Sequence, residues 1–494
     1  MQLPNPLIPG FNPDPSVVRV GDDYYLCTSS FEYLPGLPIY HSKDFIHWNL
    51  IGHVVTTEHQ LASANIPTNG GAWAPTIRHH DGVFYVVVTD AMGRGTLVFS
   101  TTDPAGKWSD GIVTNISGID PDIFWDEDGT CYATFSGLQL GGKEFGKHLG
   151  IQQAKIDLTT GQLLEEPRSI WSGVGGMFPE APHIYKVGDW YYLFIAEGGT
   201  ERGHGESVAR SKHLAGPYES GPNNPFLSAR STSRPIQNTG HGDLVQLHNG
   251  DWAMVLLGMR TRGQTRAFSS LGRETFATNI TWVDGWPVAE PVQPSDVVAA
   301  PEFVENFESG ELNQEFVGIR RLPSSISKLE NNGLHIKGEG KSMSDLRPAF
   351  VGRRLRRHDG IVRANLSVNG IGGISVRYDE VSHYDIEVAK GKIIARSALS
   401  RIVHEVEGKN FYANSNTELY MEFISSSKEF TTDGQSCDFV HLGYFDSNGN
   451  KQQVAEFDGR FLAAEVACSF TGRVVGVYCT EGEVVVSHYS ETAN

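Results

Sequence analysis

Apolar and polar residues alternate over short runs through most of the chain, and helical spacing is weak throughout. Alternation over about four to eight residues places every second side chain on one face, which is the mark of a half-buried strand. Five stretches in the first 300 residues repeat one order of events. They are DPSVVRVGDDYYLCTSS, APTIRHHDGVFYVVVTD, DPDIFWDEDGTCYATFSG, APHIYKVGDWYYLFIAEGG and HGDLVQLHNGDWAMVLLG. In each, a small or polar residue opens an apolar strand, a Gly, Asp or Asn turn follows, and an aromatic or β-branched strand returns. That is a β-hairpin signature used five times. The openers Asp14, Ala74, Asp120, Ala181 and His241 lie 46 to 61 residues apart, a spacing that suits a propeller. Unrelated hairpins in a sandwich are the alternative. The aromatic residues Tyr24, Tyr25, Phe84, Tyr85, Tyr132, Tyr191, Tyr192 and Trp252 recur at comparable places and favour equivalent blades.

The pattern changes between residues 291 and 310, where PVQPSDVVAAPEFVENFESG reads as a linker rather than a buried element. Beyond it, GLHIKGEG, GIVRANLSV, GGISVRYD, HYDIEVAKGKIIAR, ELYMEFISSS and FVHLGYFDSNG alternate with period two between Gly and Asn turns. A second all-β domain follows, a sandwich or jelly roll. Length agrees, because 494 residues exceed the roughly 250–300 that one core serves. The expected division is residues 1–300 and 301–494. All 9 Trp fall between Trp48 and Trp286, inside the first of these.

Charge excludes a class of function. Lys and Arg number 40 against 58 Asp and Glu, a net charge of -18, with no basic run to displace counterions from a nucleic acid. The five cysteines, Cys27, Cys131, Cys437, Cys468 and Cys479, follow neither a disulfide nor a zinc pattern and read as free, mostly buried thiols. No apolar run is long enough to span a membrane, and the first residues lack a signal-peptide pattern, so a cytoplasmic location is the expectation.

Candidate chemistry lies where the repeats open. The inner strands of a propeller line its axis, so Asp14, Asp120, Glu180 and His241 can converge there. Each acid alone could be a turn former or a surface charge. Three together would repel one another and resist desolvation, and a site that uses them is the better reading. Paired carboxyls suit glycosidic hydrolysis, where one protonates the leaving oxygen and another activates water or attacks. The same oxygens could hold Ca²⁺ or bind a sugar without chemistry. No EF-hand, zinc, P-loop or nucleophile-elbow motif supports another class.

The motifs NPLIPGFNPDPSVVRVGDDYYL, GGAWAPTIRHHDGVFYV, GIDPDIF, MFPEAPHIYKVGDWYYLFIAEGGT, NTGHGDLV and LGRET, in this order, resemble glycoside hydrolase family 43 and within it the two-domain β-xylosidases. The resemblance implies an all-β chain: a five-bladed propeller followed by a concanavalin-like jelly-roll sandwich that contributes a loop to the pocket. It implies an inverting exo-hydrolase releasing D-xylose from β-1,4-xylooligosaccharides. Asp14 would be the general base, Glu180 the general acid, and Asp120 the residue that orients Glu180 and tunes its pKa. Arg273 would reach the sugar hydroxyls, Trp73 and Phe31 would form aromatic walls, and His241 would stand near the axis. Phe470, in SFTGRVVGVY, would come from the sandwich loop. α-L-Arabinofuranosidase or dual activity is the alternative, because both sugars present similar atoms to one pocket; a sugar-binding propeller without catalysis is a third reading. No cofactor is required, although Ca²⁺ near the axial His241 is an option that some relatives suggest. The implied partners are a xylooligosaccharide or arabinosyl substrate and a second copy of the chain, with neither nucleic acid nor membrane. The stretches TERGHGESVARS and TRGQTRAFSS depart from the family pattern.

Overall fold

The computed structural model describes residues 3–263, 268–295, 301–330, 333–409, 411, 416–425 and 438–494. Cys437 and part of the 261–270 loop lie outside these. The chain forms two compact units, one of Met1–Ile8, Asn12–Arg260 and Glu274–Val298, the other of Pro9–Phe11, Thr261–Arg273 and Ala299–Asn494. This grouping departs from a single cut at residue 300 at Pro9–Phe11 and Thr261–Arg273, which pack with the second unit.

The first unit is a five-bladed propeller of antiparallel sheets. Its innermost strands are Ser16–Val20, Gly71–His80, Ile119–Trp125, Glu180–Val187 and Ile236–Gln246, and each pairs with the next strand of its own hairpin. The five sequence repeats are these five hairpins. Apolar faces of neighbouring blades fill the space between them, as in Val87, Val98, Ile123, Ala133 and Phe135 between the second and third blades. Tyr192, Phe194, Val208, Leu244, Leu256 and Phe276 do the same between the fourth and fifth. The N-terminal segment completes the ring. Leu7 donates to the Thr275 carbonyl (2.8 Å), and Asn5 exchanges side-chain hydrogen bonds with the Ala277 backbone (2.8 and 2.9 Å).

Tryptophan does much of the packing at the outer strands. The Arg210 guanidinium lies 4.3 Å from the Trp190 ring centroid and 4.1 Å from that of Trp286, so it is held between the fourth and fifth blades. The proposed linker is partly a structural element. Val292 is buried in the propeller core, and Phe303–Glu305 is a strand paired with the last strand of the second unit, Phe303 opposite Glu491. Its Pro and acidic content masked three apolar residues that are buried, Val292, Phe303 and Phe307.

Two long strands, Gly360–Asp379 and Val474–Thr492, organise the second unit and pair from Ile361–Thr492 to Arg377–Val474. The register shifts at Asn365/Leu366 and at Ile371/Gly372. Before the bend Gly360–Leu366 also pairs with Thr417–Ser425, and beyond it Ile371–Asp379 pairs with Ser382–Ala389. Strands that bend and change partners in this way form the corners of a sandwich. Cys27, Cys131 and Cys479 are buried free thiols, and Cys468 is exposed. Among the described residues no helix is long and apolar enough to cross a membrane.

Candidate active site

Every blade opens in the same strained way. Asp14, Ala74, Asp120, Ala181 and His241 have φ of 54°, 44°, 50°, 47° and 55°, the left-handed region that costs a residue with a side chain about 1–2 kcal/mol. In blades two to five the strand register shifts beside this residue, as in a β-bulge. A bulge turns a side chain away from the sheet's alternation and is frequent beside active sites. The three acids do not share one register. Asp14 and Asp120 are openers, and Glu180 stands one residue before the opener Ala181.

Asp14 is buried and anchored on one side. Ser29 Oγ donates to its Oδ2 (2.6 Å) and accepts the Ala74 N–H (2.7 Å), tying the first two blades together. His241 Nδ1 lies 3.7 Å from Asp14 Oδ1. Asp120 is buried too, and its Oδ2 accepts the N–H of Ala181 (3.0 Å), the residue that follows Glu180. Glu180 is half-buried. Its approach is fixed by Ser136 Oγ donating to the Pro179 carbonyl (3.0 Å) and by Glu197, whose Oε1 accepts the Val174 and Gly176 amides (2.9 and 3.1 Å). Asp14, Asp120, Glu180 and His241 therefore all stand on, or just before, inner strands of one propeller.

Trp73 and Phe31 are brought together, with ring centroids 6.3 Å apart. Phe31 and Ala72 pair backbone to backbone (3.1 and 3.2 Å). That approach needs Gly71, where φ is 92° and a Cβ would stand 2.3 Å from the Phe31 carbonyl oxygen. Trp73 is half-buried and donates to the Asn69 carbonyl (2.6 Å), whereas Phe31 is only 2% exposed, so of the two expected walls Trp73 offers more ring to a ligand. Arg273 and Phe470 meet within the second unit. Arg273 Nη2 donates to the Phe470 carbonyl (3.0 Å), and the guanidinium carbon is 5.4 Å from the ring centroid. The LGRET and FTG motifs touch through glycine, since a Cβ on Gly272 would meet the Thr471 carbonyl oxygen at 2.4 Å.

A second constellation, marked by none of the motifs, stands on the axis two residues beyond each opener. The triplets read Asp14-Pro-Ser16, Ala74-Pro-Thr76, Asp120-Pro-Asp122, Ala181-Pro-His183 and His241-Gly-Asp243. Ser16 Oγ donates to Asp243 Oδ2 (2.5 Å), and Tyr185 donates to Asp243 Oδ1. Arg78 bridges Asp243 (Nη1 to Oδ2, 2.8 Å), Asp122 (Nε to Oδ1, 3.0 Å) and His183 (Nη2 to Nδ1, 2.9 Å). Burial works to raise the Asp243 carboxyl, but Arg78 and His183 outweigh it and hold the group well below the usual range. The polar third letter of the triplets was the available signal.

Arg78 occupies the carboxylates on the axis, and among the described residues no group of three His, Cys, Asp or Glu could hold a metal ion. The other ends of the inner strands line a cavity of about 560 Å³ that includes Arg78, Trp125 and Tyr185 and none of the three acids.

Residues 3–287 match the family described as Glycosyl hydrolases family 43, and residues 304–490 match the Beta xylosidase C-terminal Concanavalin A-like domain. The chain belongs to glycosyl hydrolase family 43. It is 37% identical to the non-reducing end alpha-L-arabinofuranosidase BoGH43B of Bacteroides ovatus, over 96% of this chain and 91% of the relative. It is 32% identical to a xylosidase/arabinosidase of Butyrivibrio fibrisolvens, over 99% and 97%. Among solved structures, a Bacteroides ovatus xyloglucan-locus GH43B superposes with a TM-score of 0.87 at 33% identity, each chain covered in full. The xylan beta-1,4-xylosidase of Bacillus halodurans C-125 also gives 0.87, at 26% identity over 99% of this chain and 100% of that one. This family 43 chain is thus a glycoside hydrolase.

Proposed function

We propose that this enzyme removes terminal α-L-arabinofuranosyl units from the nonreducing end of its substrate, with terminal β-D-xylosyl units as a second substrate. The observation that carries the order is the relative named as a non-reducing end arabinofuranosidase, 37% identical over 96% of the chain. The xylosidase/arabinosidase at 32% supports dual use of one pocket. This reverses the preference that the sequence motifs suggest.

Asp14 serves as the general base in this reading, its Oδ2 anchored by Ser29 so that the carboxylate keeps one orientation toward the attacking water. Glu180 serves as the general acid. Asp120 positions it by holding the Ala181 amide, and its charge favours retention of the proton on Glu180. Inversion needs room for a water between base and acid, about 6.5–9.5 Å of carboxyl separation.

The test is turnover of aryl α-L-arabinofuranoside and aryl β-D-xyloside, with product anomers followed by NMR. Faster release of arabinose with inverted configuration is the expected result. Turnover of the xyloside alone would overturn the substrate order, and retained configuration would overturn the mechanism.

A further inference from the structure

The segment after the Glu180 hairpin, TERGHGESVARS, departs from the family pattern and has no part in the chemistry so far. It holds a buried acid. Glu206, on the strand Gly205–Ser211, is 0% exposed. Its Oε2 accepts the N–H of Gly242 (3.0 Å). Two residues earlier, buried His204 has Nδ1 2.8 Å from the Asn238 carbonyl oxygen, which makes Nδ1 the protonated nitrogen.

Both contacts land on the strand Ile236–Gln246, which shifts register twice, between Gln237 and Gly240 and between Gly240 and Asp243. Asn238 and His241 are its left-handed residues, at φ 58° and 55°. The triplets explain why this blade needs an extra acceptor. Four have proline in the middle, which carries no N–H, and the fifth has Gly242. A buried amide left without a partner costs about 1–3 kcal/mol, and at Gly242 Glu206 supplies that partner. Glycine also lacks the ring that restricts the other four positions, so the fifth opener depends more on outside support.

We propose that Glu206, with His204, is a positioning residue: it clamps the doubly bulged opening of blade five and so fixes His241 beside Asp14. The inference rests on the reading of Asp14 as the base. Glu206 touches no substrate. It acts through the Gly242 amide on the backbone of His241, whose ring stands 3.7 Å from Asp14.

The test compares Glu206→Ala, Glu206→Gln and wild type by hydrogen exchange over residues 236–246 and by kcat and KM on aryl pentosides. Glutamine keeps an oxygen acceptor at this place and alanine does not. In the alanine variant, exchange at 236–246 should rise at least about tenfold and kcat fall about 10- to 100-fold, with KM changed less than about threefold, since small misplacements of catalytic groups cost this much. Glu206→Gln should restore both. The alanine loss should be equal on activated and poor leaving groups, because the base side is disturbed. Unchanged exchange and kcat in Glu206→Ala, or a glutamine variant as impaired as alanine, would overturn the clamp. An inactive wild type whose exchange still follows this order would overturn the catalytic reading and leave the clamp standing.

Discussion

Buried charge is organised differently in the two units. In the propeller it converges: Arg78 joins carboxylates of the third and fifth blades, and Ser16 and Tyr185 add the first and fourth. In the sandwich it is distributed along strands that are already paired. Arg353 meets Glu315 and Glu491 with its guanidinium carbon 3.6 Å from the Phe303 ring centroid, Arg473 meets Asp438 (2.6 Å), and Arg396 meets Glu387 (2.8 Å). Among the described residues the blades are separate small sheets, so side chains define how the five inner strands converge. The sandwich strand Ala349–Arg354, which carries Arg353, is already paired with Val474–Thr492 by the backbone. Polar groups in the propeller interior thus set the geometry of a site, and those in the sandwich reinforce an existing sheet.

The largest expected effect tests whether the propeller's acids are functional rather than structural. Asp14→Asn and Glu180→Gln should each lower kcat/KM about 10²–10⁴-fold on a poor leaving group, the usual range for general acid or base removal. Melting temperature should hold or rise, because buried acids that serve chemistry are seldom optimal for stability. With an activated aryl leaving group Glu180→Gln should recover much of its rate and Asp14→Asn should not. Equal behaviour of the two variants would break the assignment of separate acid and base roles.

The next effect separates the two kinds of buried arginine. Arg78→Met leaves Asp122 and Asp243 buried without their cation and should cost about 3–5 kcal/mol. Hydrogen exchange should rise in all five inner strands. Arg353→Met should cost a similar amount, with exchange confined to Ala349–Arg354 and Val474–Thr492. A local response to Arg78→Met would show that the axis is not the common fastening of the blades.

The same contrast explains what the sequence revealed. The propeller was legible because its hairpins recur, so five weak signals support one another, and because Asp14, Asp120 and Glu180 sit where the repeats open. Glu206 was not legible. Its role depends on Gly242 replacing a proline in another blade, a relation visible only once the triplets are superimposed in space. The axial network was half-legible, since the polar third residues were present but Arg78 lies outside the triplet. In the sandwich the strands were readable by alternation, while the partners of Gly360–Asp379 were not, because one strand serves different neighbours on either side of its bend. Arg273 was legible only as part of the LGRET motif, because the carbonyl that it holds, that of Phe470, is almost 200 positions away.

A smaller effect should appear in the pH dependence of propeller stability. Burial raises the Glu206 carboxyl well above its ordinary value of 4.5, although the Gly242 and His241 amides offset part of the rise. Below 4.5 the group is protonated in both folded and unfolded chains and costs nothing. As pH rises from 4.5 toward the folded value, the unfolded chain ionises first and stability is lost. Asp243 behaves oppositely: its contribution is present above its ordinary value of 3.8 and is lost as pH falls below it. The difference in melting temperature between Glu206→Gln and wild type should therefore move in favour of the variant from pH 4.5 upward. A difference independent of pH would show that Glu206 ionises normally in the folded protein.

The smallest effect concerns arginines held on aromatic rings near the surface. Arg210 lies between Trp190 and Trp286 and also donates to the Gly285 carbonyl (2.9 Å), so it ties two blades. Arg363 in the sandwich stands over one ring, Phe445 at 4.6 Å, on a strand held by neighbours on both sides. Lysine keeps the charge of either residue and loses the flat stacking face. Arg210→Lys should cost about 1–2 kcal/mol and Arg363→Lys less than about 0.5 kcal/mol, the difference between a partly desolvated two-ring contact and an exposed single one. Urea unfolding of each variant, with tryptophan fluorescence reporting the propeller that holds all 9 Trp, measures the first directly. Equal costs would mean that bridging two blades adds nothing to a cation–π contact, and the propeller's dependence on side chains between its sheets would then be limited to its axis.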